Sequence, residues 1–404
     1  MSTSLLYHAW GLRGYHHDGT DFEDGSVYCK IHQPRQRLRC PTCNSEQVIA
    51  QGTVPRLWRT VPVGFKPVFV HLAIPRVRCL VCNDIRQVRV PFADPRRHYT
   101  HAFERYVLDL VRHMTIQDVA RHLLVSWDTI KDIQKRYLQR RFGKPKLHRL
   151  QQIAIDEIAV GKGHRYVTVV LNLRSGAVVF VGDGKGAAAL DPFWRRLRRA
   201  RARIQAVATD MSPAYIQAVR ENLASAIHVF DHFHVVKLFN DKLSDLRREL
   251  YHEATSQLHK RVLKGTRWLL LKNPENLDTK HRERERLEEA LRINRPLATA
   301  YYLKEDLRQI WDQPDKATAR TVLDDWIRRA EASGIRMLEQ CARTLALHRT
   351  GILAWYDCPI STGPLEGTNT KIQVMKRQAY GFRDKEFFKL KILGLHETKY
   401  ALVG

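Results

Sequence analysis

Acid is what this chain has least of. Its 404 residues carry 42 Asp+Glu against 68 Lys+Arg, leaving a net charge of +26 and a pI near 10.0. A field of that size favours a polyanion as partner, nucleic acid being the commonest, although ribosomal and membrane-surface proteins share the bias. Also missing is any apolar run near the ~20 residues that a membrane span requires, which excludes a transmembrane helix. The opening "MSTSLLYHAWGLRG" has no basic segment ahead of its short apolar stretch. No secretory signal is therefore expected, and the chain is assigned to the cytoplasm, where disulfides are disfavoured. Hydrophobic content of 44% and aromatic content of 9% are those of an ordinary folded protein. The length allows two to four domains.

Seven cysteines in a compartment without disulfides need another explanation. Cys40 and Cys43 form "CPTC", and Cys79 and Cys82 form "CLVC". Two such knuckles supply four thiolates for tetrahedral, structural Zn²⁺ at ~2.3 Å. The spacing exceeds that of a finger, and "PVFVHLAIPRVRC" between them alternates Val68, Val70, Leu72 and Ile74, as a strand does. A zinc ribbon with a docking role follows, ahead of a thiol redox pair. Cys29, Cys341 and Cys358 have no such pairing and read as packing residues.

"IQDVARHLLVSWDTIKDIQKRYLQRRF", residues 116–142, holds two apolar stripes, Ile116, Val119, Ala120, Leu123 and then Ile130, Ile133, Tyr137. Ser126 between them is a good N-cap. The pattern describes a helix-turn-helix or, on this evidence alone, a plain helical hairpin. In the first case Trp127, Asp128, Thr129, Lys131 and Lys135 face the major groove, and Arg136, Arg140 and Arg141 suit phosphates. "RFGKPKLHR" reads as a linker ending near residue 150.

Beyond it "QIAIDEIAV", "RYVTVVLNL" and "GAVVFVG" predict an antiparallel meander, the first two strands joined by "GKGH". A helix, "GAAALDPFWRRLRRA", precedes the strand "IQAVATD"; Ser212 and Pro213 start another helix, and "AIHVFDHFHVV" predicts a further strand. That order is the one of an RNase H-like domain. Asp156 lies inside its hydrophobic first strand, where a charge is costly unless paired or metal-bound. Glu157 is the weaker candidate, since alternation turns it to the opposite face. Asp210 closes a strand at its carboxyl end, where open α/β sheets place ligands. The charged, helical stretch after Asp231 reads as an inserted helical domain whose Trp268, Trp311, Trp326 and Trp355 belong to its core.

In "GPLEGTNTKIQVMKRQAYGFRD", Glu366 is the sole acid before Asp384, amid Lys371, Lys376, Arg377 and Arg383. Pro364 and Gly381 bracket one helix. Ile372, Met375 and Ala379 gather on one side; Glu366, Asn369, Thr370, Gln373, Lys376 and Arg377 gather on the other. A solvated face with a favourable first-turn acid explains Glu366 in isolation. Together with Asp156 and Asp210 it completes three carboxylates able to hold two Mg²⁺ ions ~3.5–4 Å apart, with Mn²⁺ as a substitute. Lys371, Lys376 and Arg377 would then meet a DNA backbone.

The stretches "CPTC" with "PRVRCLVC", "IDEIAVGKGHRYVTVVLNL", "TDMSPAY", "DHFHVVKL" and "GPLEGTNTKIQVMKRQAYGF" resemble, in order and spacing, the DDE transposases of bacterial insertion sequences of the ISL-three family. The resemblance spans most of the chain. It implies Asp156, Asp210 and Glu366 as catalytic triad and zinc on Cys40, Cys43, Cys79 and Cys82. In "DHFH" it places Asp231 and His234 as support for the site, with Asn369 beside them. The fold class is then multidomain α+β: zinc ribbon (1–95), helix-turn-helix and linker (96–150), and an RNase H-like α/β domain (151–250 and 356–404) interrupted by an α-helical insertion (251–355). The expected activity is binding of double-stranded terminal inverted repeats, metal-dependent cleavage and strand transfer. The work falls to a homodimer or higher oligomer on DNA, at the bacterial nucleoid and away from any membrane. A domesticated DNA-binding regulator without catalysis is the rival, and a nuclease that cuts without joining is a third reading.

Overall fold

The computed structural model describes residues 4–161, 165–278 and 281–396, so most of the expected "GKGH" turn (162–164) lies outside the described residues. The chain divides into two compact units, Met1–Arg141 and Phe142–Gly404.

In the first unit a short helix α1 (Leu5–Trp10) precedes strands β1 (His16–Glu23), β2 (Ser26–His32), β3 (Val48–Val63), β4 (Lys66–Cys79) and β5 (Ile85–Gln87). They form one sheet in the order β1-β2-β4-β3, with β5 on β4. The alternation in β4 has the expected result: Val68, Val70, Leu72 and Ile74 all turn inward, onto Trp58, Trp10 and Cys29. Cys29 is a packing residue, as expected. Helices α2 (His101–Leu110), α3 (Ile116–Leu123) and α4 (Trp127–Phe142) share a second core, in which Val119, Ala120, Leu123, Ile130 and Ile133 close on Phe103 and Val107. The Ser126 hydroxyl accepts the Thr129 N–H at 3.2 Å, capping α4. Tyr137, assigned to the α4 stripe, is only half-buried, and Leu138 takes the inward position.

The second unit is built on β6 (Gln152–Gly161), β7 (Arg165–Asn172), β8 (Ala177–Asp183), β9 (Ala206–Thr209) and β10 (Ile227–Phe230). Their order is β10-β9-β6-β7-β8, with β6–β7–β8 antiparallel and β9 and β10 parallel to β6. This is the RNase H-like arrangement. The central strand β6 is apolar on both faces because both are covered. Helices α5 (Asp191–Ala200) and α6 (Pro213–Asn222) pack through Phe193, Trp194, Leu197, Tyr215 and Val219 against Ile153 and Ile155. On the other face, helices α14 (Gly363–Gln378) and α15 (Lys385–Leu393) place Leu365, Ile372, Phe388 and Ile392 against Ala154 and Ile158. Leu147 and Leu150, in the stretch read as a linker, are buried in the first of these layers. Their apolar side chains tie that segment to the sheet.

Between β10 and α14 run α7 (His232–Glu253), α8 (Gln257–Gly265), α9 (Arg267–Leu271), α10 (Glu283–Ile293), α11 (Arg295–Arg308), α12 (Lys316–Glu331) and α13 (Arg336–Leu353), around one apolar core. The expected strand "AIHVFDHFHVV" stops at Phe230, because the Asp231 carboxylate accepts the Phe233 N–H at 2.9 Å and starts α7. Gly351 lets α13 reach this sheet edge: a Cβ there would stand 2.4 Å from the Phe230 ring. Trp326 is core, and Trp311 and Trp355 are half-buried. Trp268 is 66% exposed, its ring covered by the Arg267 guanidinium at 4.8 Å, so its assignment to the core was wrong. A cation over an indole face stabilises it at the surface.

Candidate active site and metal centre

Three elements converge on Asp156. Strand alternation sends Ile153, Ile155 and Glu157 to one face of β6, where Glu157 accepts the Tyr215 hydroxyl at 2.6 Å. Asp156 faces the opposite way, toward α14, where the Asn369 side-chain N–H donates to its Oδ2 at 2.8 Å. One turn further along α14, Gln373 donates to the Ala159 carbonyl at 2.7 Å. The polar face of α14 thus runs beside β6. Glu366 lies one turn before Asn369 on that face, exposed, at the spacing where side chains of a helix are neighbours.

The second neighbour comes from β9. Its parallel register pairs Gln152 with Ala206 and Ala154 with Ala208; the chain leaves the strand at Asp210, whose charge is close enough to act on Asp156. The Asp210 carboxylate accepts the Ser212 N–H at 3.0 Å, which holds it at the strand end. Burial pushes the Asp156 carboxyl up to about 6; the Asp210 charge adds to this, while the Glu157 N–H and His234 pull the other way. The carboxylates of Asp156, Asp210 and Glu366 do not all lie within 4.8 Å of one another. Two ions ~3.5–4 Å apart, with ~2 Å to each oxygen, ask for a wider spread than that. The Oδ1 of Asn369 is buried beside Asp156 without a hydrogen-bond partner.

Asp231 and His234 divide in role. Asp231 is almost wholly buried, and its Oδ2 accepts both the backbone N–H of Thr362, at 2.6 Å, and the Thr362 hydroxyl. Thr362 directly precedes α14, so one carboxylate fixes both the start of α7 and the start of the Glu366 helix. His234 is close enough to Asp156 to act on its charge, and His232 Nδ1 lies 3.4 Å from Asp231. Sequence reasoning missed Thr362 and the contact of Gln373. A threonine just ahead of Gly363–Pro364 has the N-cap signature, and Gln373 follows Asn369 by one turn.

In the first unit Cys40, Cys43, Cys79 and Cys82 bring four Sγ atoms within 4.8 Å of one another. Two of the separations are 3.6 Å (Cys40–Cys82) and 3.5 Å (Cys43–Cys79). A tetrahedron with ~2.3 Å Zn–S bonds has edges of ~3.8 Å, so the donor set fits zinc in element, number and spacing. Backbone N–H of Cys43 leads the causes that bring the Cys40 thiol down to about 6. Against the lowering by the Asp84 N–H, burial and the three neighbouring sulfurs push Cys82 up to about 12.

At α4, Trp127 and Arg140 are exposed, and Lys131 lies 5.3 Å over the Trp127 ring. Thr129 and Lys135 are half-buried, the Thr129 hydroxyl sharing a hydrogen bond with Ser126 at 2.8 Å. Arg136, expected to suit phosphates, is engaged within the fold. Its guanidinium meets Asp94 at 3.3 Å, Glu104 at 3.1 Å and Asp132 at 3.3 Å, and donates to the Tyr99 hydroxyl at 2.9 Å. Three acids already take its charge. On α14, Lys371 and Arg377 are exposed and Lys376 is half-buried.

A meander of antiparallel strands continued by parallel ones, with one acid inside its first strand and another just past the end of β9, defines an RNase H-like protein, here joined to a zinc ribbon and a helix-turn-helix. Residues 153–392 match the family model of a transposase, 88–138 that of the helix-turn-helix domain of transposase family ISL3, and 27–82 that of the zinc-finger of transposase IS204/IS1001/IS1096/IS1165. The chain belongs to the ISL3 family of transposases. It is 32% identical to the transposase for insertion sequence element IS1001 of Bordetella parapertussis, over 97% of this chain and 98% of the relative. It is 30% identical to the transposase for insertion sequence element IS1557 of Mycobacterium tuberculosis, over 95% and 92%. The solved Drosophila P element transposase strand transfer complex is similar at a TM-score of 0.40 and 11% identity, covering 72% of this chain and 90% of that one, too remote to carry an argument. No helix of the described residues is long and apolar enough to cross a membrane.

Proposed function

We propose that this transposase binds the terminal inverted repeats of its insertion sequence, cuts there and joins the freed end to target DNA, with Asp156, Asp210 and Glu366 as the catalytic acids. The approach of α14 to β6 through the 2.8 Å bond from Asn369 to Asp156 carries the reading, because it brings the Glu366 helix to the strand pair of Asp156 and Asp210. The donors are hard oxygens, and the Asp156 carboxyl, pushed up to about 6, is one that a cation would relieve. Asp156, Asp210 and Glu366 would hold two Mg²⁺ ions, or Mn²⁺, which when bound help to activate the attacking oxygen and stabilise the leaving one.

The chain's own groups supply the rest. Asn369 and the Glu157 N–H, at 2.8 Å, orient the two Asp156 oxygens. Asp231 holds the start of α14 through Thr362, and His234 stands close enough to Asp156 to act on its charge. Lys371, Lys376 and Arg377 meet backbone phosphates beside the scissile bond. Trp127, Thr129, Lys131 and Lys135 read the repeat from α4, and Arg140 takes a phosphate. A water oxygen attacks the phosphodiester and the bond to the 3′ oxygen breaks, leaving a 3′-OH. That hydroxyl then attacks a target phosphodiester, forming the new bond and releasing the target's 3′-OH. Two ends must be held together, so a dimer or higher oligomer assembles on DNA, in the bacterial cytoplasm.

The test incubates the protein with Mg²⁺ or Mn²⁺ and labelled duplex from the DNA flanking its gene, beside Asp156→Asn and Glu366→Gln. Nicks at the repeat boundary and joined products are expected, lost in both variants while DNA binding persists. Binding without cleavage would favour a regulator; cleavage without joining, a nuclease.

A further inference from the structure

The zinc-ribbon unit carries a groove that neither the acidic site nor α4 uses. A cavity of about 230 Å³ is walled by Arg37, Arg39 and Arg89 and by Thr42 and Asn44 of the first cysteine knuckle. A second, of about 290 Å³, is walled by Arg13, Gly14, Arg37 and Arg89. Arg37 and Arg89 face both, so the two form one groove. Four arginines line it and no acid does.

Their charges are mostly uncompensated. Arg39 is paired with Glu46. Arg13 donates to the Tyr7 hydroxyl at 2.9 Å, and Arg89 donates to the Pro41 carbonyl at 2.7 Å, both neutral acceptors. Arg37 lies against the backbone of Gly14, where a Cβ would stand 2.6 Å from its Nη1; a glycine is needed there both for that approach and for its φ of +82°. Among the described residues no carboxylate pairs with Arg13, Arg37 or Arg89. Like charges so collected repel one another and store a demand for an anion. The guanidinium fork matches a phosphate oxygen pair. Thr42 donates to Asp84 at 2.7 Å, fixing the knuckle that forms one wall.

We propose that this groove grips the phosphate backbone of duplex DNA, a sequence-independent contact made by the same unit whose α4 faces the bases. The inference rests on the DNA-binding part of the proposed function. It is tested on the full chain by fluorescence anisotropy, with labelled duplex from the gene's flank and an unrelated duplex, across a series of NaCl concentrations. Arg37→Gln with Arg89→Gln should weaken both duplexes alike and flatten the slope of log K against log[salt] by about 1.8, at ~0.9 per lost phosphate contact. Zinc content and melting temperature report whether the variant folds; if it does not, Arg13→Gln, at the far end of the groove, should flatten the slope by about 0.9. A wild-type slope in the variants overturns the proposal. So does loss of inorganic phosphate binding with an unchanged DNA slope, which would assign the groove to a small anion. Wild-type protein that binds no duplex sinks both this inference and the proposed function, whereas loss of cleavage in Asp156→Asn concerns the acids alone and leaves the slope untouched.

Discussion

At the scale of single residues the informative group is a carboxylate in the wrong medium. An exposed aspartate titrates near ~3.9, and in the fold the Asp156 carboxyl is pushed up to about 6 by burial and the neighbouring Asp210. Below pH ~4 the group is neutral in both the folded and the unfolded chain and costs nothing. Above pH ~6 it is charged in both, and the cost of burying the charge is fully present, so metal-free stability falls as pH rises between those limits. Asp156→Asn removes the charge; its one side-chain oxygen still accepts the Glu157 N–H, and its new N–H meets the unpartnered Oδ1 of Asn369 once that amide turns over. It should stabilise the metal-free protein by about 2–3 kcal/mol at pH 7, with no gain at pH 4, in denaturant melts at both pH values. A gain that ignores pH would show that the burial of charge is not the cause. That Asp156 and Glu157 face opposite sides of β6 was legible in the sequence, because a period of two needs only neighbouring residues to be read. The bond from Asp231 to Thr362 was not, since it spans a whole helical insertion and exists only once that insertion has returned the chain to the sheet.

At the scale of elements α4 shows why charge pattern alone misassigns function. Arg136 and Arg140 are one turn apart and look alike in sequence. Arg136 points into a cluster of Asp94, Glu104 and Asp132, and the Glu104 side chain is only 8% exposed. Two of these acids come from outside the helix, so no helical periodicity could reveal them. Arg136→Ala leaves a buried carboxylate without its partner and should cost ~3 kcal/mol. Arg140→Ala, on the exposed side, should stay within ~0.5 kcal/mol and instead weaken DNA binding. Thermal melts and a binding isotherm on the two variants separate the roles. Equal destabilisation by both would refute the division of the helix into a structural and a DNA-facing side. The elements themselves were readable for the same reason that Asp156 was: strand alternation in β4 and β6, the Ser126 cap, and the Pro364 and Gly381 brackets are local. The misread ends were those where a polar side chain changes the backbone's course, as Asp231 does by ending β10 and opening α7.

At the scale of the molecule each unit has its own source of stability. The order of elements made the RNase H-like sheet legible, but the docking of α13 on β10, which needs Gly351 beneath the Phe230 ring, was not. The second unit buries a large apolar core on both sides of its sheet. In the first, the cysteine knuckles sit at the ends of strands where little apolar contact holds them; Cys43 and Cys82 are exposed. Structural zinc contributes ~10–16 kcal/mol in isolated fingers, as much as the ~5–15 kcal/mol stability of a whole domain, so the knuckles should not stay closed without it. On chelation, hydrogen exchange should lose protection at the knuckle amides of Asn44 and Cys79, bonded to Cys40 and Asp84 in the fold. The amides of Ile153, Val207 and Ala208 in the second sheet should keep theirs. Knuckle amides that stay protected in the chelator would mean that packing, and not the metal, holds the ribbon together. The arginine groove, one wall of which is the Cys40–Asn44 knuckle, would then survive zinc loss; if the metal does hold it, DNA affinity should fall together with that protection.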